Sequence, residues 1–457
     1  MILKSVNPYT GDTIETYPQT TSEALENIVH KAVEGYELWK KTEASERARK
    51  LTSVATVLRE NKTEFARIIS TEMGKLITEA EAEVEKSALV CDYYATHGET
   101  FLQNKIINTE YDISRVEYHA LGPVLAIMPW NFPFWQVFRF AAPNLMAGNT
   151  AILKHAGNVS GCSLAIASVF EKAGFPEGCF ASVLLPGKET QPLIEDKRVV
   201  AITLTGSTQA GKKVAEMAGR HLKKTVLELG GSDPYLILDD ADINLAAEKC
   251  AAGRLLNAGQ SCIGAKRFIV MQEVYDDFLS AFKKQMEAVK PGNPLNRNTT
   301  LAPLATTLFR DDLHHQVENS LKSGATCVTG GYIPDMQDAF YPPTILTGLK
   351  PGMAAYEEEL FGPVASVLKV NSEEEAFHIA NDTVFGLGAA VFSQNRERAE
   401  HIASEKLNAG TVFINDFVKS DPRLPFGGIK ESGYGRELAI EGFREFMNAK
   451  TVAGNVT

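Results

Sequence analysis

From Gly122 onward, short apolar runs alternate with longer helix-spaced segments, and this alternation leaves the chain few folds to adopt. The strand candidates are 124–128, 150–154, 181–185, 199–205 and 226–229, and the helix candidates between them are 136–146, 161–172, 190–196 and 210–222. A chain that returns repeatedly from helix to strand builds a doubly wound, mostly parallel sheet, an α/β fold. A second alternating block runs from 235 to about 414, and no Pro/Gly/Ser-rich linker separates the two. Two α/β units are therefore expected to pack closely and share a site at their junction.

Upstream, 22–98 carries a helical pattern, with Ala32, Val33, Tyr36 and Trp39 forming one apolar stripe. Between 108 and 121 the pattern becomes extended, Tyr111, Ile113, Arg115, Glu117 and His119 alternating with other residues, and reads as an inserted hairpin. At 457 residues the chain is too long for one ordinary core, so two or three domains are expected.

The 46 basic against 57 acidic residues leave a net charge of −11, which argues against a nucleic-acid or acidic-membrane partner. No run approaches the roughly 18 apolar residues of a membrane helix. The opening residues lead straight into the turn-type cluster Asn7-Pro8-Tyr9-Thr10-Gly11, so no secretory signal and a cytoplasmic location are expected. Cysteines 91, 162, 179, 250, 262 and 327 are scattered without a CxxC pair, the pattern of reduced thiols; no metal site is expected.

Four segments carry chemistry. In Asn257-Ala258-Gly259-Gln260-Ser261-Cys262, Gly259 permits a tight turn and presents Cys262 near a loop end, where a thiol attacks carbonyls once ionised. Alone, a lone cysteine is more often a small buried hydrophobe. In Val226-Leu227-Glu228-Leu229-Gly230-Gly231, a glutamate ends an apolar strand; burial there raises its pKa and suits it to general-base work, although a cap or ion pair is an equal reading. In Met128-Pro129-Trp130-Asn131-Phe132-Pro133, two prolines fix the backbone around Asn131, whose amide can donate to an oxyanion. In Leu204-Thr205-Gly206-Ser207-Thr208, a strand-to-helix joint places Ser207 and free helix amides where phosphate binds, without the GxGxxG spacing.

Together with Glu358-Glu359-Leu360-Phe361-Gly362-Pro363 and Pro425-Phe426-Gly427-Gly428-Ile429-Lys430-Glu431-Ser432-Gly433, these segments resemble the aldehyde dehydrogenase superfamily over essentially the whole chain. The resemblance is strongest to bacterial succinate-semialdehyde dehydrogenases. It implies a Rossmann-type cofactor domain at 1–107 and 122–229, a catalytic α/β domain at 230–435 and a small β oligomerisation arm at 108–121 and 436–457. It implies that Cys262 attacks the aldehyde, that Asn131 and the Cys262 backbone N–H hold the oxyanion, that hydride leaves for the nicotinamide, and that Glu228 activates the water that hydrolyses the thioester. Trp130, Lys154, Gly157, Gly206, Ser207, Glu359 and Phe361 fall to the cofactor.

Many NAD-preferring relatives carry a glutamate three residues after the lysine, where Gly157 stands here; NADP is therefore expected to be accepted and preferred, with NAD the alternative. For substrate, the matched residues are Trp135, Arg139 and Ser420, with Arg139 as the carboxylate determinant. A second arginine that many such enzymes carry six residues before the cysteine is Leu256 here, with Arg254 two residues earlier. That departure leaves glutarate semialdehyde and medium-chain aliphatic aldehydes as alternatives to succinate semialdehyde. Family members pair strands between subunits, so a homodimer or homotetramer is expected.

Overall fold

The computed structural model describes residues 2–335 and 338–456. Five parallel strands, Pro123–Met128, Thr150–His155, Phe180–Val183, Ala201–Thr205 and Lys224–Glu228, match the five expected runs to within a few residues at each end. Their spatial order places Lys224–Glu228 next to Ala201–Thr205, then Pro123–Met128, Thr150–His155 and Phe180–Val183. The strands at the centre are buried on both faces, which explains why they read as unbroken apolar runs rather than alternating ones. A short antiparallel strand, Gly433–Tyr434, adds to the Lys224–Glu228 edge.

In this order the first and fourth parallel strands are neighbours, so their following loops diverge to opposite faces. That divergence opens a crevice at their carboxyl ends, the usual ligand position in a doubly wound sheet. The loop after Met128 carries Trp130 and Asn131; the loop after Thr205 carries Gly206 and Ser207. Ser207 caps helix Thr208–Arg220, its Oγ accepting the Ala210 N–H at 3.3 Å.

The second unit is a seven-stranded sheet in which Thr344–Thr347, Val364–Val370, Ala265–Met271, Asp233–Ile237, Gly388–Phe392 and the edge strand Thr411–Ile414 run parallel. Helix Ile243–Leu255 descends to a turn at Leu256–Gly259, and the chain passes through Cys262 before entering strand Ala265–Met271. Cys262 therefore sits on a connection, held at both ends by regular structure.

The helical region comprises Ser22–Trp39, Ala44–Glu60, Lys62–Met73 and Ile77–Phe101. Its first cap is Thr21, whose hydroxyl accepts the Ala24 N–H. Two extended segments differ from expectation. Residues 108–121 hold no hairpin of their own: Ile113–Ala120 is one strand, paired antiparallel with Met447–Gly454 on one side and Lys105–Ile106 on the other. Alternation reveals an extended strand but not its partner, which here lies more than 300 residues away. The turn cluster 7–11 closes a hairpin between Ile2–Val6 and Thr13–Pro18, which brings Leu3 against Gly157. Among the described residues, no helix is long and apolar enough to cross a membrane.

Candidate active site

The crevice at the sheet's switch point is a cavity of about 300 Å³ lined by Trp130, Asn131, Gly206, Ser207, Glu359 and Phe361 among others. With Cys262, seven expected site residues, from both units, thus meet in one place. Trp130 stacks on Phe309 at 4.8 Å between ring centroids and meets Phe361 edge-on at 5.8 Å. Lys154 and Gly157 stand beyond this enclosure, at and just after the end of strand Thr150–His155. Burial pulls the Lys154 ammonium below its ordinary pKa, which favours an anionic neighbour. A dinucleotide fits this donor set: a helix N-terminus with free amides for the pyrophosphate, a half-desolvated ammonium, and a flat aromatic wall.

Cys262 is partly exposed and lies on the wall of that cavity and of a second one, about 220 Å³, on its other side. Its connection is conformationally unusual: Asn257, Ala258 and Gly259 have φ of 54°, 52° and 77°, three successive left-handed residues. The strain persists because the surroundings hold it. Asn257 Nδ2 donates to the Asn131 and Gln260 carbonyls at 2.8 and 3.1 Å, Gln260 Oε1 accepts the Ala305 N–H at 2.8 Å, and Lys266 Nζ donates to the Ser261 and Cys262 carbonyls at 3.0 and 2.8 Å. Protein atoms surround the sulfur closely enough that desolvation pushes the thiol up to about 12, against the pull of Arg139 and Lys266. The thiol is therefore neutral at pH 7 in this state, and attack requires a proton to leave.

Any Cβ at Gly259 would overlap the Gly362 carbonyl and crowd Pro363 N. Replacing Gly259 with alanine is expected to lower the melting temperature and cut kcat/KM by roughly 100-fold, because it must displace either Cys262 or the Glu359–Phe361 segment. Thermal unfolding and steady-state kinetics check both effects.

Asn131 is fixed as tightly. Its Nδ2 donates to the Gln260 carbonyl at 3.0 Å, its Oδ1 accepts from Gln136 Nε2 at 3.1 Å, and its backbone carbonyl accepts from Lys75 Nζ at 2.8 Å. One of the two Nδ2 hydrogens remains for a ligand. Lys75 is also paired with Glu83, and Glu83 Oε1 accepts the Phe134 and Trp135 N–H groups at 2.8 and 3.0 Å. This buried pair thereby ties the Asn131 loop to the start of helix Trp135–Met146.

Glu228 is buried at the end of its strand with neither carboxylate oxygen hydrogen-bonded. Desolvation holds its pKa well above the usual carboxylate range, and the nearby Glu437 carboxylate adds to the shift. The Glu228 carboxyl borders neither cavity in this conformation, yet its charge is felt at the Cys262 thiol.

The second cavity brings together Cys262, Trp135, Arg139 and Ser420. Arg139 borders it, but its Nε faces the Glu437 carboxylate in a buried ion pair, its Nη2 donates to Thr205 Oγ1 at 3.3 Å, and its plane lies over the Phe426 ring. Leu256 also lines the cavity, whereas Arg254 turns inward and donates to the Gly259 carbonyl.

Sequence reasoning missed four residues that the structure puts at the site: Lys75, Lys86, Lys266 and Phe309. Lys266 could have been suspected, since a lysine within the apolar strand Ala265–Met271 needs a partner. It has Glu359, at 3.2 Å, which also accepts the Gly231 N–H at 3.1 Å.

Residues 2–452 match the aldehyde dehydrogenase family. The chain is 46% identical to a probable succinate-semialdehyde dehydrogenase [NADP(+)] of Synechocystis, covering 99% of each. It is 44% identical to the succinate semialdehyde dehydrogenase [NAD(P)+] of Escherichia coli, covering 98% of this chain and 97% of that one. Its fold superposes with a TM-score of 0.96 on the succinic semialdehyde dehydrogenase of Streptococcus pyogenes solved with NADP+, at 40% identity over 98% of this chain and 99% of that one.

Proposed function

The chain belongs to the aldehyde dehydrogenase family, and we propose that it oxidises succinate semialdehyde to succinate, with NADP preferred and NAD the alternative acceptor. The observation that carries this reading is the position of Cys262 on the wall common to the crevice at the switch point, which would take the nicotinamide end of the cofactor, and a second cavity large enough for a short aldehyde.

In this mechanism the Cys262 thiol gives up its proton to water, its Sγ bonds to the aldehyde carbon, and the carbonyl oxygen becomes an oxyanion held by the free Asn131 Nδ2 hydrogen and the Cys262 backbone N–H. Each such donor contributes about 2.7–4 kcal/mol in the transition state. NADP, when bound, supplies the acceptor for the hydrogen and electron pair leaving that carbon, and the sulfur is left in a thioester. Glu228 takes a proton from water, the hydroxyl adds to the thioester carbon, and the Cys262 sulfur leaves to give the carboxylic acid. Lys154, Gly206 and Ser207 are assigned to the adenosine and phosphate end of the cofactor; Trp130, Glu359 and Phe361 to the nicotinamide end; Trp135, Arg139 and Ser420 to the substrate. The three-stranded arm, whose Met447–Gly454 strand has an open edge, is assigned to assembly of a homodimer or homotetramer. Six unpaired cysteines suit a reducing compartment such as the cytoplasm.

Measuring kcat/KM for succinate semialdehyde, glutarate semialdehyde, butanal and hexanal, each with NAD and NADP, tests the reading. Succinate semialdehyde with NADP should rank first; an uncharged aldehyde ranking equal or higher would overturn the substrate.

Cofactor preference has its own test at Gly157. A Cβ there meets only the Leu3 methyl at 3.2 Å, which a flexible leucine can yield. Gly157→Glu is expected to lower the NADP-to-NAD ratio of kcat/KM by roughly 10- to 100-fold, since a carboxylate binds ribose hydroxyls and repels a 2′-phosphate. An unchanged ratio would remove Gly157 from the explanation.

A further inference from the structure

We propose that Lys86, seated against Ser420, forms the anion-binding end of the substrate cavity and selects aldehydes that carry a carboxylate. This rests on the succinate semialdehyde reading and names the cation that carries it out.

Lys86 lies on helix Ile77–Phe101 and lines the same cavity as Cys262. Its Nζ donates to Ser420 Oγ at 2.8 Å and lies 4.2 Å from the Trp135 ring centroid, so two features of the cavity wall already aim it. An ammonium has three N–H donors, and these contacts leave one for a ligand. No carboxylate among the described residues neutralises it. Glu83, one helical turn away, is paired with Lys75. Asp421, beside Ser420, is paired with Arg423. Of the two other cations on this wall, Arg139 is balanced by Glu437 and Lys419 by Asp416. Cavity charge is thus left with one ammonium lacking a counter-ion. The remaining acid on the wall, Glu79, is held above the usual carboxylate range by burial, and its Oε1 accepts the Asn257 N–H at 3.1 Å rather than meeting Lys86.

A short chain with an aldehyde at one end and a carboxylate at the other satisfies both Cys262 and Lys86. An uncharged aldehyde satisfies only the first. The electrostatics add a pH signature. Burial pulls the Lys86 ammonium down to about 8, Arg139 and Lys75 push the same way, and Glu83 and Asp421 oppose. The charged form, which binds an anion, predominates below that value and is lost as pH rises through it. A substrate carboxylate, with an ordinary pKa near 4, does not titrate in that range.

The experiment compares kcat/KM for succinate semialdehyde and butanal across pH 6.5–9.5 in the wild type, Lys86→Met and Lys86→Arg. Taking the ratio cancels the ionisation of Cys262 and Glu228, which both aldehydes share. In the wild type the ratio should fall as pH passes 8. Lys86→Met should lower it roughly 10- to 100-fold at pH 7, mostly through KM for succinate semialdehyde. Lys86→Arg should keep most of the selectivity and remove its decline at high pH. A ratio in Lys86→Met within about threefold of wild type, or a flat wild-type profile, would overturn the role of Lys86 while leaving the substrate standing. If Lys86→Met does not fold, the wild-type and Lys86→Arg profiles decide. A wild-type ratio near one would overturn the substrate reading itself and this inference with it.

Discussion

Replacing Cys262 with alanine is expected to abolish aldehyde-dependent cofactor reduction, by about 10⁴-fold or more, while leaving the fold and NADP binding in place. The size of the effect follows from the absence of a substitute. Cys91, Cys162, Cys179 and Cys250 are buried within the core, and Cys327 sits on the far edge strand Thr326–Thr329, so none faces either cavity. Without a sulfur bond the aldehyde carbon stays planar, and no tetrahedral centre forms from which hydride can leave. Removing a nucleophile from an otherwise intact catalytic unit costs as much as removing the whole unit in comparable hydrolytic sites. Stability should change by no more than about 1 kcal/mol, because the side chain is small and partly exposed on a connection whose backbone carbonyls are held by the Lys266 ammonium. Cysteine-to-serine should be nearly as inactive, since a hydroxyl is a weaker nucleophile at neutral pH. The wild type adds a check on the thiol's proton. With the pKa near 12, roughly one thiol in 10⁵ is ionised at pH 7 in this state, so kcat/KM for an uncharged aldehyde should rise with pH. Activity above a tenth of wild type in Cys262→Ala would end the assignment.

How far the sequence disclosed this site depends on how local each feature is. The five strands of the cofactor sheet were legible because a strand buried on both faces is a continuous apolar run, and Val124 to Met128 shows it without help from distant residues. Ser207 was legible because a cap lies within three residues of the amide that it serves. Asn131, Glu228 and Cys262 were found through their motifs, and the structure adds what local pattern cannot hold. The left-handed Asn257 and Ala258 are not glycines; the turn is held by hydrogen bonds that Asn257 donates to residues as far off as Glu79 and Asn131. Arg139 lines the same cavity as Cys262, but its pairing with Glu437 joins residues nearly 300 positions apart and left no trace in spacing. Lys86 carries no local signal within its helix, since the contacts that aim it come from Trp135 and Ser420 in two other parts of the chain. The 113–120 strand was seen and its partner was not, for the same reason.

Replacing Glu228 with glutamine is expected to separate the two halves of the reaction. Acylation needs the Cys262 sulfur and the Asn131 amide, both untouched, so the first turnover should still release one reduced cofactor per active site. Deacylation needs a base, and an amide cannot take a proton from water; steady-state turnover should fall roughly 10²- to 10⁴-fold. The result to look for in stopped flow is a burst followed by a slow phase, with intact-protein mass spectrometry showing an acyl group on Cys262. Loss of function through unfolding is not expected. Both Glu228 oxygens are buried without partners, and Glu437 repels the charged form, so an uncharged side chain of the same shape relieves a cost rather than adding one. The pH dependence carries the same sign. A pKa held above the usual range means that the basic form grows as pH rises, so wild-type deacylation should accelerate from acid toward neutral pH. In the variant that titration should vanish, leaving only the slower contribution of hydroxide. The carboxyl borders neither cavity in this conformation, so its role requires a side-chain rotation or one bridging water to reach the thioester. A variant with neither burst nor steady state would mean that Glu228 is needed to take the proton from the thiol, moving its role from the second half of the reaction to the first.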